Sequence, residues 1–434
     1  MLRILIIGSN FLSALTFVAA CGFNNAHIYI ADRKDPTVLL NYNQNARFNM
    51  QRYCKGYTYR DVYNLKDFGD SKRNLKITWL FYDWVNNRLE YPLEKIDIIF
   101  HTGSIYDVKY ASVNKKDTLN VNVNGMFNVL SQLESMTGGT EKTKKPLFVN
   151  FSSINVYGDQ TNTMQKEITE DGTVPNPQDL LNLTLFTQEN MVKALCPQYD
   201  VDYLILRLGN MTGDFTPMDT LTNSAVLAVL ANQDKFDVYN PRNSIDLLDS
   251  RDFEGLLVSL IHSYQDQDDE KWEKIVNQVY NIKAEEPQEK TVESVVKSMY
   301  ALINSLPTIT KEHGIPDIGI DRPYKLKAPK IRVSGYEAIK PTVKFDRPVS
   351  STKAKEMLKF LSNKPLIMAL VPHTFDFVLN YIYKKPENEK RAICKILNIP
   401  YAPQPEALNE NEVQKDIIDA VGDLNNKIAR DLDQ

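Results

Sequence analysis

Two residues open the case for chemistry: Gly8, directly after the first apolar run of the chain, and Asp32, directly after the second. A glycine in the first position lets backbone approach a diphosphate seated on the next helix N-terminus, and an acidic side chain in the second binds an adenosine ribose and repels a 2′-phosphate. The pair points to a dinucleotide. The pattern is incomplete, however: Ser9-Asn10-Phe11-Leu12-Ser13 stands where two further glycines are expected, the segment is one residue short, and Phe11 is bulky enough to crowd a diphosphate. Arg33, next to Asp32, blunts any preference against a 2′-phosphate. A third candidate, Ser153, ends a later apolar run, where a hydroxyl either polarises a substrate or bonds local backbone.

Other chemistries find little support. The five histidines, His27, His101, His262, His313 and His373, are scattered, with no second metal-type ligand at a recognised spacing. Cys21, Cys54, Cys196 and Cys394 are far apart and form no Cys-x-x-Cys pair, so free thiols in a reducing, intracellular compartment are expected. A formal net charge of −4, with no basic stretch interleaved with aromatics, excludes a nucleic-acid surface. At 434 residues and 43% hydrophobic content the chain buries a full core and is not disordered.

The elements that must position these residues alternate along the N-terminal half. Apolar runs at Arg3–Ile7, His27–Ala31, Ile96–Phe100, Leu147–Phe151 and Asp202–Leu206 are separated by helix-length segments, the first of them Phe11–Cys21. Strands buried on both faces and separated by helices predict an α/β fold with a doubly wound parallel Rossmann sheet. Met1 to Phe23 also imitates a cleaved leader, with one positive charge at Arg3 and small residues Ala19-Ala20-Cys21, but cleavage would remove the first strand. Between the second and third runs an insertion, roughly 64–93, carries Trp79, Phe81, Tyr82 and Trp84 and is expected to pack as an ordered addition. A helix is predicted over Asp117–Glu134, burying Leu119, Val123, Met126, Phe127, Leu130 and Leu133, with an exposed loop over Ser135–Lys145. The expected domains are 1–209 for the dinucleotide-type part, 210–384 for a smaller, mixed substrate-side lobe interleaved with it, and 385–434 for an extension. That extension ends in an amphipathic helix, Asn409–Gln434, with Val413, Ile417, Val421, Leu424, Ile428 and Leu432 on one face, for packing on its own domain or docking on a partner. No run is long enough for a membrane span.

A resemblance sharpens this picture. Phe151-Ser152-Ser153-Ile154-Asn155-Val156-Tyr157-Gly158 resembles the strand-end signature of UDP-galactose 4-epimerase and its relatives in the extended short-chain dehydrogenase/reductase superfamily. Asn122-Val123-Asn124-Gly125 resembles that family's Asn-x-x-Gly helix motif, and Asp97-Ile98-Ile99-Phe100-His101 resembles its fourth strand. Asp61-Val62 is similar to the pair that meets the adenine, and Leu206-Arg207-Leu208-Gly209-Asn210-Met211-Thr212-Gly213 to the sixth strand and the substrate-facing Asn after it. Val279-Tyr280-Asn281-Ile282 and Ser351-Thr352-Lys353-Ala354 match C-terminal landmarks in the same order. The resemblance implies NAD or NADP as cofactor, with Gly8, Asp32, Asp61, His101 and Asn122 as candidate contacts and Asn210 on the substrate side. For His101 and Asp32, ordinary strand-end roles are the alternative.

The resemblance also implies a Ser or Thr that polarises the substrate oxygen, a Tyr that moves its proton and a Lys one turn later that lowers the Tyr pKa. An unperturbed phenol, with a pKa of about 10, is a poor base at neutral pH without that cation. Ser153 matches the first role, but anchoring on Glu189, the family's acidic residue on this helix, places Leu181 and Leu185 where Tyr and Lys belong. No tyrosine occurs between Tyr157 and Tyr199, and the Tyr-x-x-x-Lys pairs at Tyr91/Lys95, Tyr336/Lys340 and Tyr381/Lys385 lie elsewhere. The reading is therefore a catalytically degenerate member acting as scaffold, accessory subunit or nucleotide sensor, with a protein partner or a second copy of itself. The alternative is an active NAD(P)-dependent nucleotide-sugar epimerase, dehydratase or reductase with a rearranged site. Gly209 to Asp214 and Ile245-Asp246-Leu247-Leu248 also resemble thioester reductase domains, which need the same Tyr and Lys.

Overall fold

The computed structural model describes residues 1–33, 67–70, 74–89, 93, 95–138, 144–158, 160, 167–213, 216, 220–223, 225, 235–238, 245, 247–266, 269–284, 291–300, 330–333 and 349–362. The chain divides into two compact units. The first holds 1–211, 246–285 and 337–363, and the second 212–245, 286–336 and 364–434. Asp61 and the expected terminal helix lie outside the described residues.

The strands, in chain order, are β1 (Leu2–Ile7), β2 (Ala26–Asp32), β3 (Asp67–Asp70), β4 (Leu75–Phe81), β5 (Ile98–His101), β6 (Leu147–Ser153), β7 (Asp202–Leu208), β8 (Asn210–Thr212), β9 (Lys235–Val238), β10 (Leu247–Asp249), β11 (Gln278–Ile282) and β12 (Lys330–Val333). Eight of them form the main sheet of the first unit, in the order β11-β7-β6-β5-β1-β2-β4-β3. All neighbours in it run parallel except β3, which pairs antiparallel with β4 at one edge. This is the doubly wound parallel sheet that the sequence predicts, with β1 central between β2 and β5. Residues 1–23, which imitate a leader, form β1 and the buried helix that follows it.

The helices of the first unit are α1 (Phe11–Cys21), α2 (Val108–Val113), α3 (Lys115–Leu119), α4 (Met126–Leu130), α5 (Leu133–Thr137), α6 (Leu180–Leu195), α7 (Ser250–Asp266), α8 (Asp269–Ile275) and α9 (Thr352–Leu358). One sheet face, through Leu5, Ile7, Ile99, Phe148 and Ile205, packs on Met126, Val129, Leu130 and Leu133 of α4 and α5 and on Val192 of α6. On the other face α1 packs beside α7, and Phe151 of β6 meets Phe253 of α7 edge to face. In the second unit β9 pairs parallel with β12, and a helix over 292–300 buries Val295, Val296 and Met299.

Three expectations need correction. The stretch 64–93 is no addition to the sheet but part of it: β4, in full register with β2, is its third parallel strand. Its sequence, Leu-Lys-Ile-Thr-Trp-Leu-Phe, leaves Lys76 and Phe81 exposed because only β3 lies beyond it, so it lacks the unbroken apolar run of a central strand. The helix expected over Asp117–Glu134 is interrupted by a π-helical segment, Asn120–Gly125, and by a turn at Ser131 and Gln132. A π turn adds a residue and rotates the following face. Val121, Asn122, Gly125 and Met126 therefore turn inward, Val123 is half-buried, and Leu119 and Phe127 point to solvent. Likewise α5 continues through Thr137, into the expected loop, before Gly138 ends it in the left-handed conformation.

Candidate functional site

In a sheet wound both ways from a central strand, ligands bind beyond the C-terminal ends of the strands where the winding reverses. Here that point lies between β1 and β5. Gly8 leaves β1 with φ +114°, and its bare α-carbon faces the backbone of Gly103, which follows β5. A β-carbon on Gly8 would come 2.6 Å from both Cα and N of Gly103. Asn10 then caps α1. Its Oδ1 accepts from the amides of Leu12 and Ser13 at 2.9 and 3.2 Å, and Ser13 Oγ accepts from the Asn10 amide at 3.1 Å. The same two side chains cross to the residue after β5: Asn10 Nδ2 donates to the Thr102 carbonyl at 2.5 Å, and Ser13 Oγ bonds Thr102 Oγ1 at 2.5 Å. Phe11 lies edge-on to Tyr106, ring centres 6.4 Å apart.

Asp32, the last residue of β2, is only 2% exposed and is engaged with neighbouring groups. Arg33 places its guanidinium 6.0 Å from the centre of the Trp84 ring. Trp84 comes from Tyr82-Asp83-Trp84-Val85, which directly follows β4. Its indole lies flush on two glycines: a β-carbon on Gly103 would come 2.7 Å from Cζ2, and one on Gly125 3.1 Å from Cδ1. Its Nε1 is buried without a hydrogen-bond partner among the described residues. Asp83 accepts from the amide of Val85 and from Nδ2 of Asn86, at 3.2 and 2.8 Å.

Two strands along from β1, Ser153 closes β6 and accepts the amide of Asn155 at 3.1 Å, capping the short 3-10 turn Ile154–Tyr157. Asp179 caps α6 by accepting from the amide of Asn182, and places Leu181 and Leu185 on its inner face. Both leucines are buried with Val156 and Ala111, and Ile105, Tyr106, Val108 and Phe186 pack around them. Tyr106 donates its hydroxyl to the Phe151 carbonyl at 3.1 Å, and burial pushes its phenol pKa up. Asn122 is fully buried and holds the Ile105 backbone at both its amide and its carbonyl, and its Nδ2 also donates to Thr184. Gln188 of α6 donates to the Asn122 carbonyl at 2.8 Å and to Ser104 Oγ at 2.8 Å.

Beneath α6 runs a buried ionic layer. Glu189 accepts two bonds from Arg207 of β7 and one from Ser152 of β6, at 2.9, 2.6 and 2.6 Å. His101 and Asn150 are register partners on β5 and β6, both fully buried, and neither side chain has a hydrogen-bond partner among the described residues. Burial brings the His101 pKa down to about 4. His101 thus sits within the sheet core, whereas Asn210 is exposed on β8. The structure brings Gly8 to the turn between β1 and α1, ends β2 at Asp32, and sets Ser153 at the end of β6, ahead of the turn whose Val156 packs on Leu181 and Leu185. Sequence reasoning missed Asn10, although Asn-x-x-Ser before an apolar helix is an N-cap signal. Trp84 gave no signal that separates it from a core aromatic.

Residues 49–282, more than half of the chain, match the model of the NAD dependent epimerase/dehydratase family. The chain belongs to this family. No curated protein matches it in sequence. Among solved structures, the UDP-glucuronic acid 4-epimerase from Bacillus cereus, in complex with UDP-glucuronic acid and NAD, is similar at TM-score 0.62 with 14% identity, over 88% of this chain and 100% of that one. The dTDP-glucose 4,6-dehydratase from Bacillus anthracis, in complex with NAD, is similar at TM-score 0.59 with 15% identity, over 91% and 100%. UDP-glucose 4-epimerase from Thermotoga maritima, with UDP-glucose, gives TM-score 0.58 and 14% identity, over 87% and 98%. Such identities carry the fold. Within this epimerase/dehydratase scaffold, no group of three His, Cys, Asp or Glu among the described residues could hold a metal ion, and no described helix is long and apolar enough to cross a membrane.

Proposed function

We propose that this chain is a non-catalytic member of the epimerase/dehydratase family that serves as a protein scaffold. The observation that carries the reading is the burial of Leu181 and Leu185, at 4% and 1% exposure, where relatives of this kind need a proton-moving Tyr and its Lys. Among the described residues no tyrosine or lysine bonds Ser153, whose hydroxyl instead caps local backbone. Tyr106, the phenol nearest in the packing around the leucines, is held by the Phe151 carbonyl with its pKa raised, and so makes no base at neutral pH. What remains is a rigid sheet whose helices carry exposed apolar side chains: Val113 at 81%, Phe127 at 56%, Leu183 at 48% and Leu119 at 45%. Such side chains suit contact with a protein partner or a second copy.

The test is an assay of the purified chain with NAD⁺ or NADP⁺ and UDP-glucose, UDP-glucuronic acid or dTDP-glucose, the nucleotide sugars for which the structural relatives are named, followed by NMR of the nucleotide-sugar pool. No conversion above the protein-free control is expected. Turnover with any of them would return the chain to the active enzymes of its family, with a base from outside this helix.

A further inference from the structure

The nucleotide end of the groove disagrees with the cofactor that the family implies. A dinucleotide seats its diphosphate on the free amides that open the first helix, at the point where the winding reverses, and its ribose on an exposed acidic side chain after the second strand. Asn10 Oδ1 already occupies the amides of Leu12 and Ser13. Asn10 and Ser13 also bond Thr102, and so tie the mouth between β1 and β5 together. Asp32 has 2% of its surface exposed and is engaged within the protein. Trp84 fills the space over Gly103 and Gly125 with an indole whose N–H is buried without a partner among the described residues, and Arg33 stacks on it. A buried indole N–H ordinarily finds an acceptor, so this one is held by the shape of its site.

We infer that the chain has closed its own dinucleotide groove, with the Asn10 carboxamide in place of the diphosphate and the Trp84 indole plugging the adenosine side, so that NAD(H) and NADP(H) are excluded. The residues present do not fit the cofactor. Gly8 keeps its glycine because of the Gly103 backbone, which leaves no room for a β-carbon, and no phosphate is needed to explain it. The inference goes further than the loss of catalysis, since a chain lacking Tyr and Lys still has the means to sense a dinucleotide if its groove is open.

Calorimetric titration of the full chain with NAD⁺ and with inorganic pyrophosphate tests it, on wild type, Asn10→Gly and Asn10→Gly/Trp84→Ala, each first shown to be folded by its circular dichroism and cooperative melting. Wild type is expected to show no saturable binding of either probe up to about 1 mM, the weak end of specific affinity. Asn10→Gly, which gives up the cap and the bond to the Thr102 carbonyl, is expected to bind pyrophosphate at least about tenfold more tightly than wild type, a change of about 1.4 kcal/mol. The double variant should bind NAD⁺ as well. Micromolar binding of NAD⁺ by wild type overturns the inference. So does a folded Asn10→Gly chain that gains nothing for pyrophosphate, because the obstacle then lies elsewhere; this variant decides the matter if the double variant does not fold. Binding by wild type without turnover overturns this inference alone and leaves the non-catalytic reading standing, whereas turnover overturns both.

Discussion

Arg207 forks onto Glu189 inside the protein, donating Nε to one carboxylate oxygen and NH2 to the other at 2.9 and 2.6 Å, with the two side chains 2% and 0% exposed. The pair joins β7 to α6. Leu181, Leu185 and Glu189 are spaced four residues apart, so they share one helical face, and the ion pair fixes which way both leucines point. Removing one partner of a buried pair strands the other charge, at a cost of about 3–5 kcal/mol, whereas replacing both with apolar groups is often close to neutral. Glu189→Leu is therefore expected to lose about 3 kcal/mol or more in urea unfolding, and Glu189→Leu/Arg207→Met to recover most of it. A single variant within about 1 kcal/mol of wild type would place the pair in a wetter setting than the structure gives it.

Restoring the family's residues at the leucine positions should harm the protein without giving it chemistry. Leu185→Lys buries an ammonium among Val156, Ala111 and Leu181 with no carboxylate in that cluster, and a melting shift equivalent to about 3 kcal/mol or more is expected. Leu181→Tyr overpacks the same cluster by about 1–3 kcal/mol. The double variant, at a temperature where it stays folded, is expected to show no nicotinamide reduction with UDP-glucose. Hydride transfer there would mean that only these two side chains separate the chain from its active relatives.

His101 gives the fold a pH dependence of known sign. Its folded-state pKa of about 4 lies below the ordinary histidine value near 6.5 because burial penalises the charged ring. As the pH falls, the unfolded chain takes up this proton first. The stability associated with the neutral ring is thus complete above about pH 6.5 and is lost between there and about pH 4, on the order of 3 kcal/mol in all. His101→Leu should remove that loss, so wild type falls behind the variant across this window while groups common to both cancel. Urea unfolding of the two proteins at pH 7, 5.5 and 4 would show parallel curves if His101 were solvated or paired.

The fold was readable where strands are buried on both faces. Ile4 to Ile7, Ile28 to Ala31 and Leu204 to Leu206 carry no charged residue, and that absence is what a central parallel strand requires. β4 escaped because its outer edge meets only the short β3, which tolerates Lys76 and Phe81 facing solvent. The inner face of the helix after α3 was misjudged because the π turn at Asn120–Gly125 depends on what packs there, Asn122 holding the Ile105 backbone and Gly125 receiving Trp84, and the Asn-x-x-Gly pattern does not by itself announce a π turn. At the site, Gly8 was legible as a residue that must be glycine, but its reason was not. The contact that demands it comes from Gly103, just past a strand distant in sequence.

That contact supplies the last prediction, a ranking of two glycine substitutions. At Gly8, alanine meets both a positive φ of +114° and the Gly103 Cα and N at 2.6 Å, and backbone on both sides has no rotamer with which to yield. At Gly103 the obstacle is a side chain: the new β-carbon meets Trp84 Cζ2 at 2.7 Å, and the indole is able to tilt. Gly8→Ala is therefore expected to cost about 3 kcal/mol or more, and Gly103→Ala about 1–3 kcal/mol. Only Gly103→Ala should displace Trp84 while the rest of the sheet stays intact, seen as a red shift of tryptophan emission in a chain that still melts cooperatively. Equal costs with unchanged emission would mean that Trp84 already has slack over the glycine, and the indole would then be a looser plug than its contacts imply.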